Sequence, residues 1–227
     1  MVDIPSIKQL KQLVAHLQGL VFPDYYPPVA MPEDLVLPDA FAERIPEISR
    51  LIQTDVDAVL HNDPAVTDRG EVILSYPLTF AMVHYRAAHA LYELGVPRIP
   101  RMLTELAHSR TGIDIHPAAQ IGDHFCIDHG TGVVIGETAI IGSHVVLYQG
   151  VTLGAKNFEY DPQGRPIDIP RHPILEDYVT VYSNSSILGR VTIGHHTVIG
   201  GNVWLTEDVP ANSIVLQSTP EIRIKTK

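Results

Sequence analysis

The sequence predicts an α+β protein, in which an N-terminal α-helical domain precedes a parallel β-helix of hexapeptide repeats with one long loop excursion. Three observations predict this class. Aliphatic residues recur at every sixth position in the runs 115–133, 135–153 and 175–205, and glycine often follows them. Apolar residues before residue 110 follow helical spacing instead. A segment rich in proline and charge, residues 155–173, interrupts the repeats.

The period of six excludes an amphipathic helix, because one face of a helix repeats every 3.6 residues. Six residues suit one short strand and a tight turn, and three such units make one coil of about 18 residues. We therefore expect the aliphatic side chains to point inward and to stack from coil to coil.

Two helix signals open the chain. Residues 4–21 place apolar side chains at helical spacing, and residues 34–61 do so again after several prolines. Pro46 falls inside the second segment, where a proline removes a backbone hydrogen bond and clashes with the preceding turn. We therefore expect a break or a new helix start at Pro46.

Three further helices are predicted before the repeats begin. Asp63 followed by Pro64 matches a helix start, with aspartate as the cap and proline as the first helical residue. Residues 74–94 are rich in helix formers and end at Gly95. Residues 100–108 form the last predicted helix.

The helical period gives way to the hexads near residue 110. We therefore divide the chain into a helical domain (1–110), a β-helix domain (111–210) and a C-terminal tail (211–227). The excursion at 155–173 leaves a rigid repeat and returns to it. Long loops on rigid scaffolds often carry function, so this segment is a candidate part of the site.

Composition excludes several classes of protein. The formal charge of the 227 residues is −10 and no long basic run occurs, so no nucleic-acid partner is expected. Cys126 is the single cysteine, which excludes an internal disulfide and favours a reducing compartment. The chain shows neither the apolar core of a signal peptide nor the roughly 18 apolar residues of a membrane span. We expect a cytoplasmic protein without a membrane partner.

His129 is the residue of the repeats that best suits catalysis. Asp128 precedes it, and Asp114 lies 129 − 114 = 15 residues earlier, which is close to one coil. Stacked coils can bring the Asp114 carboxylate to the imidazole, where it fixes the tautomer and leaves the other ring nitrogen as a general base. The alternative is a surface histidine on a coil edge.

Several motifs together resemble serine O-acetyltransferases. They are DIHPAAQIG, IDHGTGVVIGETAIIG and VTLG, followed by a loop and then RHP, and the likeness extends upstream through Asp63-Pro64 and the helix that carries Tyr85-Arg86. The resemblance implies a left-handed β-helix, an exception to the usual right-handed crossovers. It also implies a homotrimer, with active sites between subunits, that transfers acetyl from acetyl-CoA to L-serine in cysteine synthesis. It implies no metal.

The resemblance also assigns roles to individual residues. His129 would deprotonate the serine hydroxyl for direct attack on the thioester, and Asp114 would orient its ring. Asp63 and Asp128 match positions that hold the substrate ammonium. The positions that hold the substrate carboxylate match the cationic side chains of the RHP motif, Arg171 and His172. An amino-acid acceptor needs both kinds of group, and arginine offers a bidentate fork.

Acetyl-CoA is expected along the coil edges, at Gly154 and Ala155 and at Gly200 and Gly201. Backbone N–H groups near Gly154 would polarise the thioester carbonyl. Many relatives carry two glycines where this chain has Gly154 and Ala155. The loop 155–173 is longer than in several relatives and carries aromatic residues. It is either a lid over CoA or a contact between subunits.

Assembly and partners follow from two further differences. The helical domain is shorter than in relatives that join two trimers, so the resemblance supports a trimer and leaves a dimer of trimers open. Some relatives end in an isoleucine that docks into O-acetylserine sulfhydrylase. This chain ends in the charged segment 221–227, EIRIKTK, so we predict no tight complex with that enzyme.

Three alternatives remain open. An O-acetyltransferase acting on a sugar or another hydroxyl acceptor shares the scaffold, but its sugar forms would not need the paired anionic and cationic groups. A zinc carbonic anhydrase would use three histidines, and His124, His129 and either His144 or His116 offer such a set. In that case His129 would be a ligand and not a base. The third alternative is a catalytically silent assembly subunit.

Overall fold

Residues 5–218, which the computed structural model describes, form five α-helices and then a parallel β-solenoid of fourteen short strands. The helices are α1 (Ile7–Val21), α2 (Asp39–Asn62), α3 (Arg69–Ser75), α4 (Pro77–Glu93) and α5 (Ile99–Thr111). The strands are β1 (Asp114–Ile115), β2 (Gln120–Ile121), β3 (Cys126–Asp128), β4 (Val134–Ile135), β5 (Ile140–Ile141), β6 (Val146–Tyr148), β7 (Thr152–Gly154), β8 (Ile174–Leu175), β9 (Thr180–Val181), β10 (Ser186–Leu188), β11 (Thr192–Ile193), β12 (Val198–Ile199), β13 (Trp204–Leu205) and β14 (Ile214–Val215). The segment 221–227, on which the sulfhydrylase prediction depends, lies outside the described residues.

The strands form three parallel sheets, which confirms the predicted parallel β-helix. Sheet A has the order β1-β4-β7-β10-β13, sheet B β2-β5-β8-β11, and sheet C β3-β6-β9-β12-β14. Each coil passes through sheets A, B and C in turn. Sheet A is therefore flanked by two corners of the solenoid. We call them the His129 corner (residues 129–133, between β3 and β4) and the Gly136 corner (residues 136–139, between β4 and β5).

The inward stack predicted from the period of six is confirmed. In sheet A it consists of five buried aliphatic residues, Ile115, Ile135, Leu153, Ile187 and Leu205. Their spacings are 135 − 115 = 20, 153 − 135 = 18, 187 − 153 = 34 and 205 − 187 = 18 residues. The third interval contains the excursion. The first contains two extra residues, because five residues separate β3 from β4 but three separate β6 from β7. The His129 corner is therefore enlarged.

The first helix is confirmed, but the break expected at Pro46 is wrong. Helix α2 runs through Pro46, which lies on its exposed side. Phe41, Ile48 and Ile52 are buried on the opposite side, before and after the proline. An interior proline costs about 3 kcal/mol, whereas burial of each large apolar side chain contributes about 1.5–3 kcal/mol. Packing therefore outweighs the local penalty.

The helix start expected at Asp63 is also wrong. Helix α2 ends just before Asp63, whose N–H donates to the carbonyl of Val59 and closes the last turn. The next helix, α3, is capped by Asp68, whose side chain accepts the N–H of Glu71. Asp63 therefore lies in a connecting loop, which leaves its carboxylate available for other contacts.

The predicted helix over 74–94 is divided in the structure. Tyr76 has an extended backbone and separates α3 from α4, and Pro77 is the first residue of α4. The last helix is confirmed and continues to Thr111, after which Gly112 adopts a left-handed conformation and ends it.

The helices close the open end of the solenoid. Arg86 in α4 pairs with Asp55 in α2, with Nη2 and Oδ1 2.9 Å apart, and both side chains are buried. The same guanidinium donates to the carbonyls of Ile121 and Gly122, and Asp55 accepts the N–H of Phe125. These bonds satisfy backbone groups of the first coil that have no neighbouring coil on that side.

The helices and the solenoid share one hydrophobic core, so the division at residues 110 and 210 stays a prediction. The excursion forms a small arm, in which Tyr160 bridges Pro166 and the Asp161 carboxylate accepts the N–H groups of Gln163 and Arg165. Its role as a lid or as a subunit contact also stays a prediction. Within residues 5–218, no helix is long and apolar enough to cross a membrane.

Candidate active site

The enlarged His129 corner presents an exposed imidazole. His129 has φ = 57°, and Gly130 and Gly132 also have positive φ, values that glycine adopts without strain. The His129 side chain is 72% exposed, and its Nε2 lies 3.9 Å from Oδ1 of Asp128. The corner therefore offers a ring nitrogen to solvent beside a carboxylate.

Asp63 lies beside this corner and is held by two hydrogen bonds. Its Oδ2 accepts the hydroxyl of Tyr76 at 2.6 Å, and its Oδ1 accepts the N–H of Ala65 at 2.8 Å. The Tyr76 bond, followed by the Ala65 bond, holds the pKa of Asp63 below its usual value, and His129 acts in the same direction. The bond to Asp63 raises the pKa of Tyr76 to about 12. Asp63 is thus an oriented carboxylate.

Asp63 and Asp128 line one cleft, whose other walls include Tyr76, Cys126 and Tyr148. Two carboxylates in one cleft favour a cationic ligand group. Burial raises the pKa of the Cys126 thiol to about 12, so this cysteine is protonated at neutral pH. The structure therefore brings Asp63, Asp128 and His129 together without a thiolate nucleophile.

Asp114 does not contact His129 in this structure. Its Oδ1 lies 3.3 Å from Nη1 of Arg101 in α5, and Arg101 also pairs with Glu105. The ion pairs of the described residues join His129 to Asp128 and not to Asp114. The expected contact is absent because a guanidinium from the helical segment holds the Asp114 carboxylate and the imidazole points to solvent.

Arg171 and His172 lie at the Gly136 corner, at the other end of sheet A from His129. The guanidinium of Arg171 pairs with Glu137 and lies 3.5 Å from Asp168. The His172 ring packs directly over Gly136, where a Cβ atom would overlap it. Within one chain, the structure therefore does not bring these two residues to Asp63, Asp128 and His129.

His172 differs from the cationic group that the sequence predicts. It is only 7% exposed. Burial, followed by the charge of Arg171, lowers the pKa of His172 to about 4. The imidazole is therefore neutral near pH 7, and it can offer a hydrogen bond but no charge to a carboxylate.

The four residues expected at acetyl-CoA are also divided between two corners. Gly154 ends β7 and Ala155 begins the excursion, on the Gly136 side of sheet A. Gly200 and Gly201 follow β12, on the His129 side. A Cβ at Gly154 would lie 2.9 Å from the Leu188 side chain, so glycine is needed there for close packing.

The histidines of the carbonic anhydrase alternative lie at three different corners. His124 and His144 stack between sheets B and C, with ring centroids 4.3 Å apart and planes 16° apart. Their ring nitrogens and an Asp123 oxygen lie within 4.8 Å of one another. Nearly parallel stacked rings cannot both direct an in-plane lone pair at one metal ion. His129 lies between sheets C and A, and His116 follows β1 between sheets A and B. One chain therefore does not assemble the three-histidine set.

The fold and the site define an acyltransferase of the hexapeptide-repeat class. The chain is 49% identical over 197 residues to a serine acetyltransferase of Synechococcus elongatus, which covers 86% of this chain and 62% of that protein. It is 42% identical to the serine acetyltransferase of Bacillus licheniformis, with 74% of each chain covered. No protein-family model matches the chain.

Solved structures agree with these relatives. Serine acetyltransferase isoform 3 of Entamoeba histolytica, in complex with cysteine, has a TM-score of 0.80 at 32% identity, and the match covers 99% of this chain and 86% of that one. Native serine acetyltransferase 1 of the same organism has a TM-score of 0.81 at 36% identity, with 95% and 90% covered. The solenoid is therefore a left-handed parallel β-helix, and the chain belongs to the serine acetyltransferase family. It spans 62% and 65% of the two Synechococcus elongatus relatives that it matches.

Sequence reasoning missed two residues of this region. Tyr76 fell inside a predicted helix, and no local pattern indicated that its hydroxyl reaches Asp63, 76 − 63 = 13 residues away. Thr138 lies in the GETAIIG motif and contacts both Arg171 and His172, which follow it by more than 30 residues. Contacts at such separations have no signature in a single sequence.

Proposed function

We propose that the protein is a cytoplasmic enzyme that transfers the acetyl group of acetyl-CoA to the hydroxyl of L-serine, giving O-acetylserine and CoA, the first step of cysteine biosynthesis. The observation that carries the proposal is that Asp63 and Asp128 share one cleft beside the exposed imidazole of His129. Two carboxylates suit a substrate ammonium, and an imidazole suits a hydroxyl that must lose its proton. The serine acetyltransferase relatives support the same substrate.

In the proposed reaction, His129 accepts the hydroxyl proton as the serine oxygen attacks the thioester carbonyl. The C–O bond forms, the C–S bond then breaks, and the imidazolium returns its proton to the leaving sulfur of CoA. Backbone N–H groups near Gly154 and Ala155 stabilise the oxyanion. This direct transfer uses neither a metal ion nor an acetylated residue of the enzyme. The protonated state of the buried Cys126 thiol agrees with it.

The proposed site needs a second copy of the chain. The substrate carboxylate requires Arg171 and His172, which lie at the Gly136 corner, whereas the base lies at the His129 corner. If the Gly136 corner of one copy faces the His129 corner of the next, each interface of a closed ring holds one complete site. The same arrangement joins the acetyl-CoA groups at Gly154 and Ala155 to those at Gly200 and Gly201. These divisions support the homotrimer, and a dimer of trimers stays open.

Asp114 keeps its proposed role as the residue that orients the His129 ring. This role requires that Asp114 exchange Arg101 for His129, and that the imidazole turn from its present position. The exposure of the His129 side chain leaves room for that rotation. A carboxylate on one ring nitrogen favours proton uptake at the other, as the general-base step requires.

The test is CoA release from acetyl-CoA with L-serine, L-homoserine, L-threonine or a hexose as the acceptor. Serine-dependent turnover is expected, and His129→Ala should lower kcat by about 10²- to 10⁴-fold. His196→Ala is the matched control, since His196 is also an exposed histidine with positive φ at a solenoid corner, and it should keep wild-type turnover. Turnover of another acceptor in place of serine would contradict the substrate. A His129→Ala variant with wild-type kcat would contradict the base.

A further inference from the structure

Thr138 contacts both residues that are proposed to hold the substrate carboxylate. Its hydroxyl oxygen accepts the backbone N–H groups of Arg171 at 2.9 Å and of His172 at 3.1 Å. The same oxygen lies 2.9 Å from Nδ1 of His172, and the backbone N–H of Thr138 donates to that nitrogen at 3.0 Å. One threonine thus makes four hydrogen bonds to the Arg171-His172 segment.

These contacts determine which nitrogen of His172 carries the proton. A backbone N–H can only donate, so Nδ1 must present its lone pair to Thr138. The Thr138 oxygen already accepts two N–H groups, which leaves its own proton to be donated, again to Nδ1. A proton on Nδ1 would face two donors, so the proton of the neutral ring must lie on Nε2.

The surroundings hold this arrangement in place. The His172 ring is buried over Gly136, and Arg190 donates to the carbonyls of Thr138 at 2.7 Å and of His172 at 3.0 Å. The lowered pKa of His172 agrees with a ring that stays neutral. Neither Thr138 nor His172 can therefore shift without breaking several bonds at once.

We infer that Thr138 is a positioning residue, which fixes His172 as the Nε2–H tautomer so that the ring donates a hydrogen bond to the substrate carboxylate. This inference rests on the proposed function for the identity of the substrate. The opposite tautomer would turn a lone pair toward the carboxylate and repel it. Arg171 supplies the positive charge and His172 supplies a directed donor, so the subsite favours a carboxylate over an uncharged group of similar shape.

The first measurement needs no activity. In protein labelled with ¹⁵N-histidine, the ring nitrogens of His172 are assigned from the signals that His172→Gln removes. At pH 7 we expect an unprotonated Nδ1 and a protonated Nε2, both in the wild type and in Thr138→Ser, which keeps the hydroxyl. Thr138→Val should show a mixture of tautomers. A proton on Nδ1 in the wild type would overturn the inference.

The second measurement separates positioning from general stability. Thr138→Val should raise KM for L-serine about tenfold, the loss expected for one hydrogen bond to a charged group. It should leave kcat and KM for acetyl-CoA within about twofold, and Thr138→Ser should keep the wild-type values. Thr197→Val is the control, because Thr197 is a fully buried threonine of the same solenoid whose hydroxyl donates to the Pro210 carbonyl.

Three results would decide against the inference. They are an unchanged KM for serine in Thr138→Val, equal losses in kcat and both KM values, and a rise in Thr138→Ser as large as in Thr138→Val. If Thr138→Val does not fold, the wild-type tautomer and the kinetics of Thr138→Ser decide the question. If the wild type does not acetylate serine, the proposed function fails, while the tautomer is still determined by the first measurement.

Discussion

The hydroxyl of Tyr76 donates a 2.6 Å hydrogen bond to Oδ2 of Asp63 across the gap between α3 and the end of α2. Tyr76 is the residue at which the helical path breaks, because Pro77 starts a new helix directly after it. The interruption between α3 and α4 therefore places a phenol where it orients the carboxylate. A continuous helix would leave Asp63 with the Ala65 N–H alone.

Tyr76→Phe should weaken the binding of L-serine. Without the phenol, the pKa of Asp63 rises toward its usual value, because the hydrogen bond that lowers it most is lost. A carboxylate with a raised pKa is neutralised at higher pH, so the loss of serine affinity on acidification should begin at higher pH than in the wild type. Calorimetric titration with serine between pH 4 and 7, without acetyl-CoA, measures this midpoint.

The control for this experiment is Tyr26→Phe. The Tyr26 hydroxyl donates to the carbonyl of Ile73 at 3.3 Å, outside the cleft, so its loss removes a hydrogen bond without touching Asp63. We expect the wild-type midpoint for Tyr26→Phe. An unchanged midpoint in Tyr76→Phe as well would show that Tyr76 does not control Asp63.

A pair of variants can establish what Asp114 does. If Asp114 orients His129 during turnover, Asp114→Asn should lower kcat by a factor on the order of 10 or more, because an amide does not stabilise the imidazolium. Arg101→Gln removes the guanidinium that holds Asp114 and should leave kcat at the wild-type value or above it. Steady-state kcat at saturating substrates measures both. Equal losses in the two variants would show that Asp114 only anchors α5.

The sequence predicts the solenoid well because its core repeats. Every coil must bury an aliphatic residue at the same register, so Ile115, Ile135 and Leu153 appear at regular intervals and can be read without the structure. The loop at Asp63 is not visible in this way. Asp-Pro is a common helix start, and the pair is displaced from a helix only because α2 packs far enough to end at Asn62.

The site is less predictable than the fold for the same reason. The motif resemblance selects the right residue types, but the partners of those residues are distant in the chain. Arg101 reaches Asp114 from α5, and Thr138 reaches His172 across the excursion. Packing decides these contacts, and no periodic pattern announces them. The roles of the individual residues stay predictions until they are measured.

Gly136 gives a steric test of the His172 position. A Cβ at Gly136 would overlap the His172 ring, so Gly136→Ala should displace the imidazole and raise KM for serine severalfold. Gly142→Ala is matched to it, because Gly142 also follows a buried isoleucine and a Cβ there would overlap the Asp177 carboxylate at a different corner. Both variants should lose stability. Only Gly136→Ala should change KM for serine, and a similar change in both would mean that the effect is not local.

Acidification should destabilise the fold through buried histidines. His84 in α4 is 2% exposed, with Nδ1 2.8 Å from the carbonyl of Phe80. Burial, helped by the charge of Arg110, lowers its pKa to about 4. In the unfolded chain a histidine has a pKa of about 6.5. Between these two values the unfolded chain binds a proton that the folded chain does not, so the free energy of unfolding falls as the pH drops from about 6.5 to about 4.

The expected loss is about 3 kcal/mol for His84 over that range, since one pKa unit corresponds to about 1.4 kcal/mol. His172, whose pKa is lowered to a similar value, contributes in the same direction. His84→Gln keeps a donor for the Phe80 carbonyl but cannot titrate, so it should remove about half of the combined pH dependence. Urea unfolding at fixed protein concentration from pH 8 to pH 4.5 measures this. Above pH 7 the curves of wild type and variant should run parallel, and if they stay parallel down to pH 4.5, His84 does not titrate as its burial requires.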